Sequence, residues 1–156
     1  MDDHLTKAFS HSIHGDFIFP DPWNAIKDLD YETAGKTIHG LPNSIYQIVH
    51  HFVAWARWGL HGAKGMPFIR TTTDEEGNFF PADESPTEEQ WEQTKLSVKT
   101  LIADFEAALA GIDHTVNHHD WQDFNNGRAI IFIVAHTSYH VAPVIMLQRL
   151  LGVWKQ

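Results

Sequence analysis

Ser85-Pro86-Thr87-Glu88-Glu89-Gln90-Trp91 opens the segment that decides the fold class. A serine three residues before a glutamate, with proline between them, is a helix start. The hydroxyl and carboxylate each satisfy a first-turn amide, and proline has no amide to leave unpaired. From there Trp91, Val98, Leu101, Ile102, Phe105 and Leu109 recur at helical spacing until Gly111, the signature of one buried helical face.

Upstream, Pro42-Asn43-Ser44 opens a second helical pattern in which Ile45, Ile48, Val49, Phe52, Trp55, Ala56 and Gly59 form an apolar stripe reaching about Leu60. Gly62, Gly65 and Pro67 end it. The run through Thr71-Thr72-Thr73, Asp74-Glu75-Glu76-Gly77 and Pro81 has no sustained period and reads as a long loop. Earlier still, Asp21-Pro22 followed by Trp23, Ile26 and Leu29 predicts a first bundle helix ending near Gly35 or Gly40. Residues 1–20 read as a short opening helix and then, mostly, a packed loop.

Downstream of a polar stretch from 113 to 126, Gly127 gives way to a last helix through about Leu151, with Ile133, Val144, Leu147 and Leu151 inward and Gly152 placed to stop it. There is no internal repeat and no Gly-rich phosphate loop, and β-branched residues fall inside helical patterns. The expectation is an all-α fold, a four-helix bundle formed by residues 1–156 as a single domain, with a long loop between the second and third helices.

Composition narrows the function. Hydrophobic residues make up 43% of the 156-residue chain and charged residues 20%, which is globular composition. Eleven Lys and Arg against twenty Asp and Glu give a formal charge of −9, a field that repels phosphate backbones, so nucleic acid is not an expected partner. With no cysteine there is no disulfide, zinc-thiolate site or protein thiol nucleophile. Any sulfur chemistry needs a thiol from outside. The start Met1-Asp2-Asp3-His4 lacks the basic and apolar regions of a signal peptide, and the longest apolar runs, 129–135 and 141–147, are too short to span a bilayer. A cytoplasmic protein with no membrane partner is expected.

The chain carries twelve histidines, and their positions matter more than their number. His136-Thr137-Ser138-Tyr139-His140 sets two imidazoles one helical turn apart and about 40° apart around the axis, where both reach one ion. Thr and Ser occupy the interval in which a His-Glu-x-x-His zinc protease carries its glutamate, so the motif alone does not specify a hydrolase. Ile133, His136, His140, Val144 and Leu147 share one stripe, which turns the pair inward. His50 and His51 point about 100° apart on their helix. His51 aligns with Ser44, Ile48, Trp55 and Trp58, whereas His50 lies toward Gln47 and Arg57, so His51 is the third candidate ligand.

Three neutral histidines leave a fourth position for water or substrate. Zinc is the first expectation, with nickel, iron and copper also suited to imidazole. Neither ligand-bearing helix contains Asp or Glu, so the site lacks a local general base and should attract an anion. Asp16 or Glu32 is the carboxylate that would enter from elsewhere, although both read first as surface. Pro143 should bend the last helix, either opening the pocket or being absorbed by packing. Trp55 and Trp58 read first as core, with a pocket wall as the alternative. His11, His14, His39, His61, His114, His118 and His119 read as solvated, with His118-His119 an adventitious metal pair.

The chain resembles the DinB and YfiT-like metal-binding four-helix bundles. The resemblance begins at Trp23-Asn24-Ala25-Ile26, runs through Pro42 to Trp55 and Ser85 to Trp91, and is strongest at His136-Thr137-Ser138-Tyr139-His140 and Leu147-Gln148-Arg149-Leu150-Leu151-Gly152. It implies His51, four residues before Trp55, with His136 and His140 as ligands of one divalent ion. Pro143 stands where relatives often place Gln. The resemblance also implies a homodimer and a small-molecule substrate. Relatives include thiol-dependent S-transferases and isomerases as well as proteins described as metal-dependent hydrolases. The leading expectation is therefore transfer of a low-molecular-weight thiol cosubstrate to an electrophile. Hydrolysis by water activated at the metal is the second, and a non-catalytic metal or small-ligand binding protein is the third.

Overall fold

The computed structural model describes residues 3–15, 18–66, 85–119 and 123–155. The expected loop segment from Pro67 through Pro81, and Asp16, lie outside the described residues. The fold is all-helical: the described residues form five helices and no strand, apart from one isolated antiparallel bridge between Asn117 and Asn125. They are α1 (Asp3–Ile13), α2 (Tyr31–Ala34), α3 (Ile45–Ala63), α4 (Glu88–Leu109) and α5 (Asn126–Leu150).

Each long helix starts where a side chain replaces a missing backbone partner. Ser44 accepts from the Gln47 amide while the Gln47 side chain accepts from the Ser44 amide, closing a capping box on α3. On α4 the same reciprocal pair is Thr87 and Gln90, two residues beyond the Ser85 and Glu88 pair expected from the sequence. The reason is tertiary: the Ser85 hydroxyl donates to the Gly35 carbonyl at 3.2 Å, leaving Thr87 to cap. Asn125 caps α5 by accepting from the Arg128 amide.

The first bundle helix expected from Asp21 does not form. Residues 22–28 are successive turns, and only the single-turn α2 follows, capped by Asp30. Two carbonyls explain it. Ala25 O accepts from Gln148 Nε2 at 2.7 Å and Leu29 O accepts from Trp91 Nε1 at 2.8 Å, so acceptors that a growing helix would use are taken by α5 and α4. Instead α1, expected to give way to loop from Ser10, runs to Ile13, whose fully buried side chain anchors it. Gly15 at φ 93° stops it, in a place where a Cβ would strike the Phe19 carbonyl.

The helices close a ring: α1 packs on α5, α5 on α3, α3 on α4 and α4 on α1, with α2 against α4 and α3. Inside it Phe52, Ala56, Leu60, Trp91, Leu101, Phe105, Ile130, Ile133 and Leu147 are almost wholly buried. α5 is 25 residues long and its most apolar window has a mean hydropathy of 1.8, long and apolar enough to cross a membrane by length and composition. The same apolarity lets it pack against both α3 and α1. The helix continues through Pro143.

Candidate metal centre

The α3–α5 contact, the most extensive between helices among the described residues, brings the sequence-expected histidines together. His51 from α3 meets His136 and His140 from α5, and one ring nitrogen from each lies within 4.8 Å of the other two. Ring centroids are 5.2 Å apart for His51 and His136, 4.6 Å for His51 and His140, and 4.5 Å for His136 and His140. His136 Nε2 and His140 Nε2 are 3.2 Å apart. Two nitrogens on one tetrahedral ion, at metal distances of about 2.0–2.1 Å, stand about 3.3 Å apart. The α5 pair therefore already has the spacing of neighbouring ligands.

Electrostatics agree with that geometry. Burial, reinforced by the neighbouring His51, holds His136 down at about 4. Burial, with His136 and His51 adding to it, holds His140 at about 3. Both imidazoles are thus neutral near pH 7, the form that donates a lone pair to a metal. His136 Nδ1 is buried without a hydrogen-bond partner, so the ring satisfies little of its polar capacity within the protein. No Asp or Glu lies on α3 or α5. Of the two carboxylates weighed from the sequence, Glu32 is exposed on α2 and accepts from the Tyr31 hydroxyl at 3.4 Å.

His50 is half-buried away from the three, in a small cavity of about 70 Å³ with Arg57, Thr94 and Ser97. The helical phase that separated it from His51 is the one α3 adopts.

Rings wall one side of the triad. Trp55 lies 6.4 Å from His51 and 5.8 Å from His136, with Trp58 at 4.9 Å from Trp55. Both indoles are half-exposed, and Trp55 borders the histidines with Trp58 behind it, so the pocket-wall alternative fits Trp55 better than plain core. Phe132 stacks on His136 at 5.4 Å with planes 19° apart, and the sequence reading missed it. Its position four residues before His136 was the available signal.

Several other histidines are not solvated as expected. His118 is 2% exposed, because its ring fills the slot left by the absent side chain of Gly62 and pairs with the Gly59 carbonyl at 2.8 Å. His119 is exposed. His14 is half-buried between Asp21 and Glu106. Burial pulls its pKa down, but the hydrogen bonds and charges of the two carboxylates outweigh that and raise it. His61 and His114 are half-buried as well, while His11 and His39 are exposed.

Comparison with protein-family models, with curated proteins and with solved structures gives no match for this chain.

Proposed function

We propose that the protein is a single-domain, cytoplasmic four-helix bundle of the DinB and YfiT-like kind, that His51, His136 and His140 hold one divalent ion, zinc or nickel, and that the site transfers a small-molecule thiol to an electrophile. The observation that carries this reading is the meeting of three histidines, two of them held neutral by burial, with no carboxylate on either helix. The ring of α1, α3, α4 and α5 supports the bundle.

A divalent ion at such a site supplies positive charge that keeps a coordinating thiol deprotonated near neutral pH without a protein base. The protein's own part is positional. His136 and His140 present lone pairs at fixed spacing on one helix. His51 closes the set from α3. Trp55, Trp58 and Phe132 restrict water and offer apolar surface to the electrophile. Transfer forms a sulfur–carbon bond and breaks the carbon–leaving-group bond, with the thiol proton passing to solvent.

The test supplies metal-loaded protein with bacillithiol, mycothiol, glutathione or coenzyme A, together with monochlorobimane, which loses chloride on conjugation. Conjugation above the uncatalysed rate should require both thiol and metal and vanish in His136→Ala. Metal-dependent ester or amide hydrolysis without any thiol-supported turnover would replace this reading with a hydrolase. Tight metal binding with neither activity would point to a binding protein. The homodimer implied by the same resemblance is checked by sedimentation.

A further inference from the structure

Arg128, Phe132, His136 and His140 succeed one another at four-residue intervals along α5 and share one face of it. The contacts between them are continuous. Phe132 stacks on His136 at 5.4 Å, Phe124 meets Phe132 edge-on at 6.4 Å with planes 86° apart, and the Arg128 guanidinium sits 3.9 Å from the Phe124 ring centroid. From α3, Trp55 lies 6.1 Å from Phe132 and 5.8 Å from His136. Every ring in this track is half-buried, so each retains an open side.

Arg128 is exposed and has no carboxylate partner among the described residues, in a chain whose formal charge is −9. Its guanidinium carbon lies over the Phe124 ring, and the guanidinium N–H groups make no hydrogen bond among the described residues. A guanidinium edge matches a carboxylate in bidentate geometry. Eight residues at 1.5 Å rise separate Arg128 from His136, about 12 Å along the axis. No acidic side chain on α3 or α5 competes for either end.

We infer that the three-histidine centre takes an elongated apolar or aromatic molecule that carries a carboxylate, which Arg128 receives at the far end of the aromatic track while the other end meets the metal. The inference rests on the metal reading above, but not on thiol transfer. Arg128 is a recognition residue here, and its spacing from His136 sets the length of molecule accepted.

Zinc-loaded full-length protein is titrated calorimetrically with alkyl hydroxamates, whose head group chelates zinc. One series ends in a carboxylate and a matched series ends in methyl, both covering a range of chain lengths. The carboxylate series should bind at least about tenfold tighter at an intermediate length, the gain expected of one charge-assisted pair. Shorter and longer members should show less. In Arg128→Gln the two series should converge, and Arg128→Lys, which keeps the charge without the planar edge, should recover only part of the difference. Equal affinity of the two series in the wild-type protein, or an unchanged carboxylate advantage in Arg128→Gln, would overturn the inference. Zinc content is measured on the same samples: less than about one ion per chain in the wild-type protein defeats the metal reading and this inference with it. Full zinc without a carboxylate advantage defeats the inference alone.

Discussion

His136 Nε2 and His140 Nε2 lie 3.2 Å apart on successive turns of α5. Two neutral imidazoles that close either share one proton in an N–H···N bond or offer both lone pairs to a third species. His51 stands ready on α3.

Replacing any of His51, His136 or His140 by alanine should weaken divalent-ion binding by about 100-fold or more, since even outer partners of a metal site are worth about 10–100-fold. His50→Ala should change it little. Metal content after dialysis, with competition by a chromophoric chelator, measures both. Dependence on His50 with indifference to His51 would contradict the arrangement.

Acid should destabilise the metal-free protein through the same pair. His136 and His140 have folded-state pKa values of about 4 and about 3, below the roughly 6.5 of an unfolded histidine. Between those limits the unfolded chain binds more protons, so their contribution is complete above about pH 6.5 and is lost as pH falls toward 4 and then 3. Urea midpoints of the metal-free protein should therefore drop below pH 6.5, and more gently in His136→Gln/His140→Gln. Identical pH profiles for variant and wild type would refute this.

His14 should act with the opposite sign. Its pKa is raised by Asp21 and Glu106 against burial, so its contribution is complete below about pH 6.5 and is lost as pH rises through the raised value. His14→Gln should be less stable than wild type in mild acid and should approach it in alkali, read from thermal midpoints across that range.

Gly62→Ala should destabilise the fold by about 1–3 kcal/mol, the usual penalty for overpacking a filled site. A Cβ there falls 1.9 Å from the His118 ring. Denaturant unfolding checks the loss, and Gly62→Ala/His118→Ala should recover part of it by removing the ring that clashes.

Trp91→Phe should cost about 1–3 kcal/mol, because the buried Leu29 carbonyl loses its donor while most of the ring packing remains. Metal affinity should be unchanged, since Trp91 does not touch the histidines. Parallel unfolding and metal titrations separate the two effects.

How much of this was legible in the sequence depended on the range of the forces involved. The face that His51 shares with Ser44, Ile48, Trp55 and Trp58 distinguished it from His50, which lies toward Gln47 and Arg57. The spacing of His136 and His140 is covalent geometry. By contrast, Ala25 and Leu29 lose their helical role to side chains 123 and 62 residues away, and no local pattern announces that. The same holds for Ser85, whose hydroxyl goes to Gly35, and for His118, whose burial depends on a missing side chain at Gly62. Phe132 and Arg128 were within reach of the sequence, at four and eight residues before His136, but became meaningful only once Phe124 was seen between them.

Because His51 comes from one helix and the other two histidines from another, joint coordination would also be a cross-link. It would join chain positions about 85 residues apart, and in the chain-entropy description closing a loop of that size is worth about 4–5 kcal/mol. A chain without cysteine would then have a removable staple, one that a chelator opens where a disulfide would need a reductant. α3 and α5 would remain clasped through thermal excursions that let the intervening chain loosen, and resistance to heat would follow the free concentration of the ion.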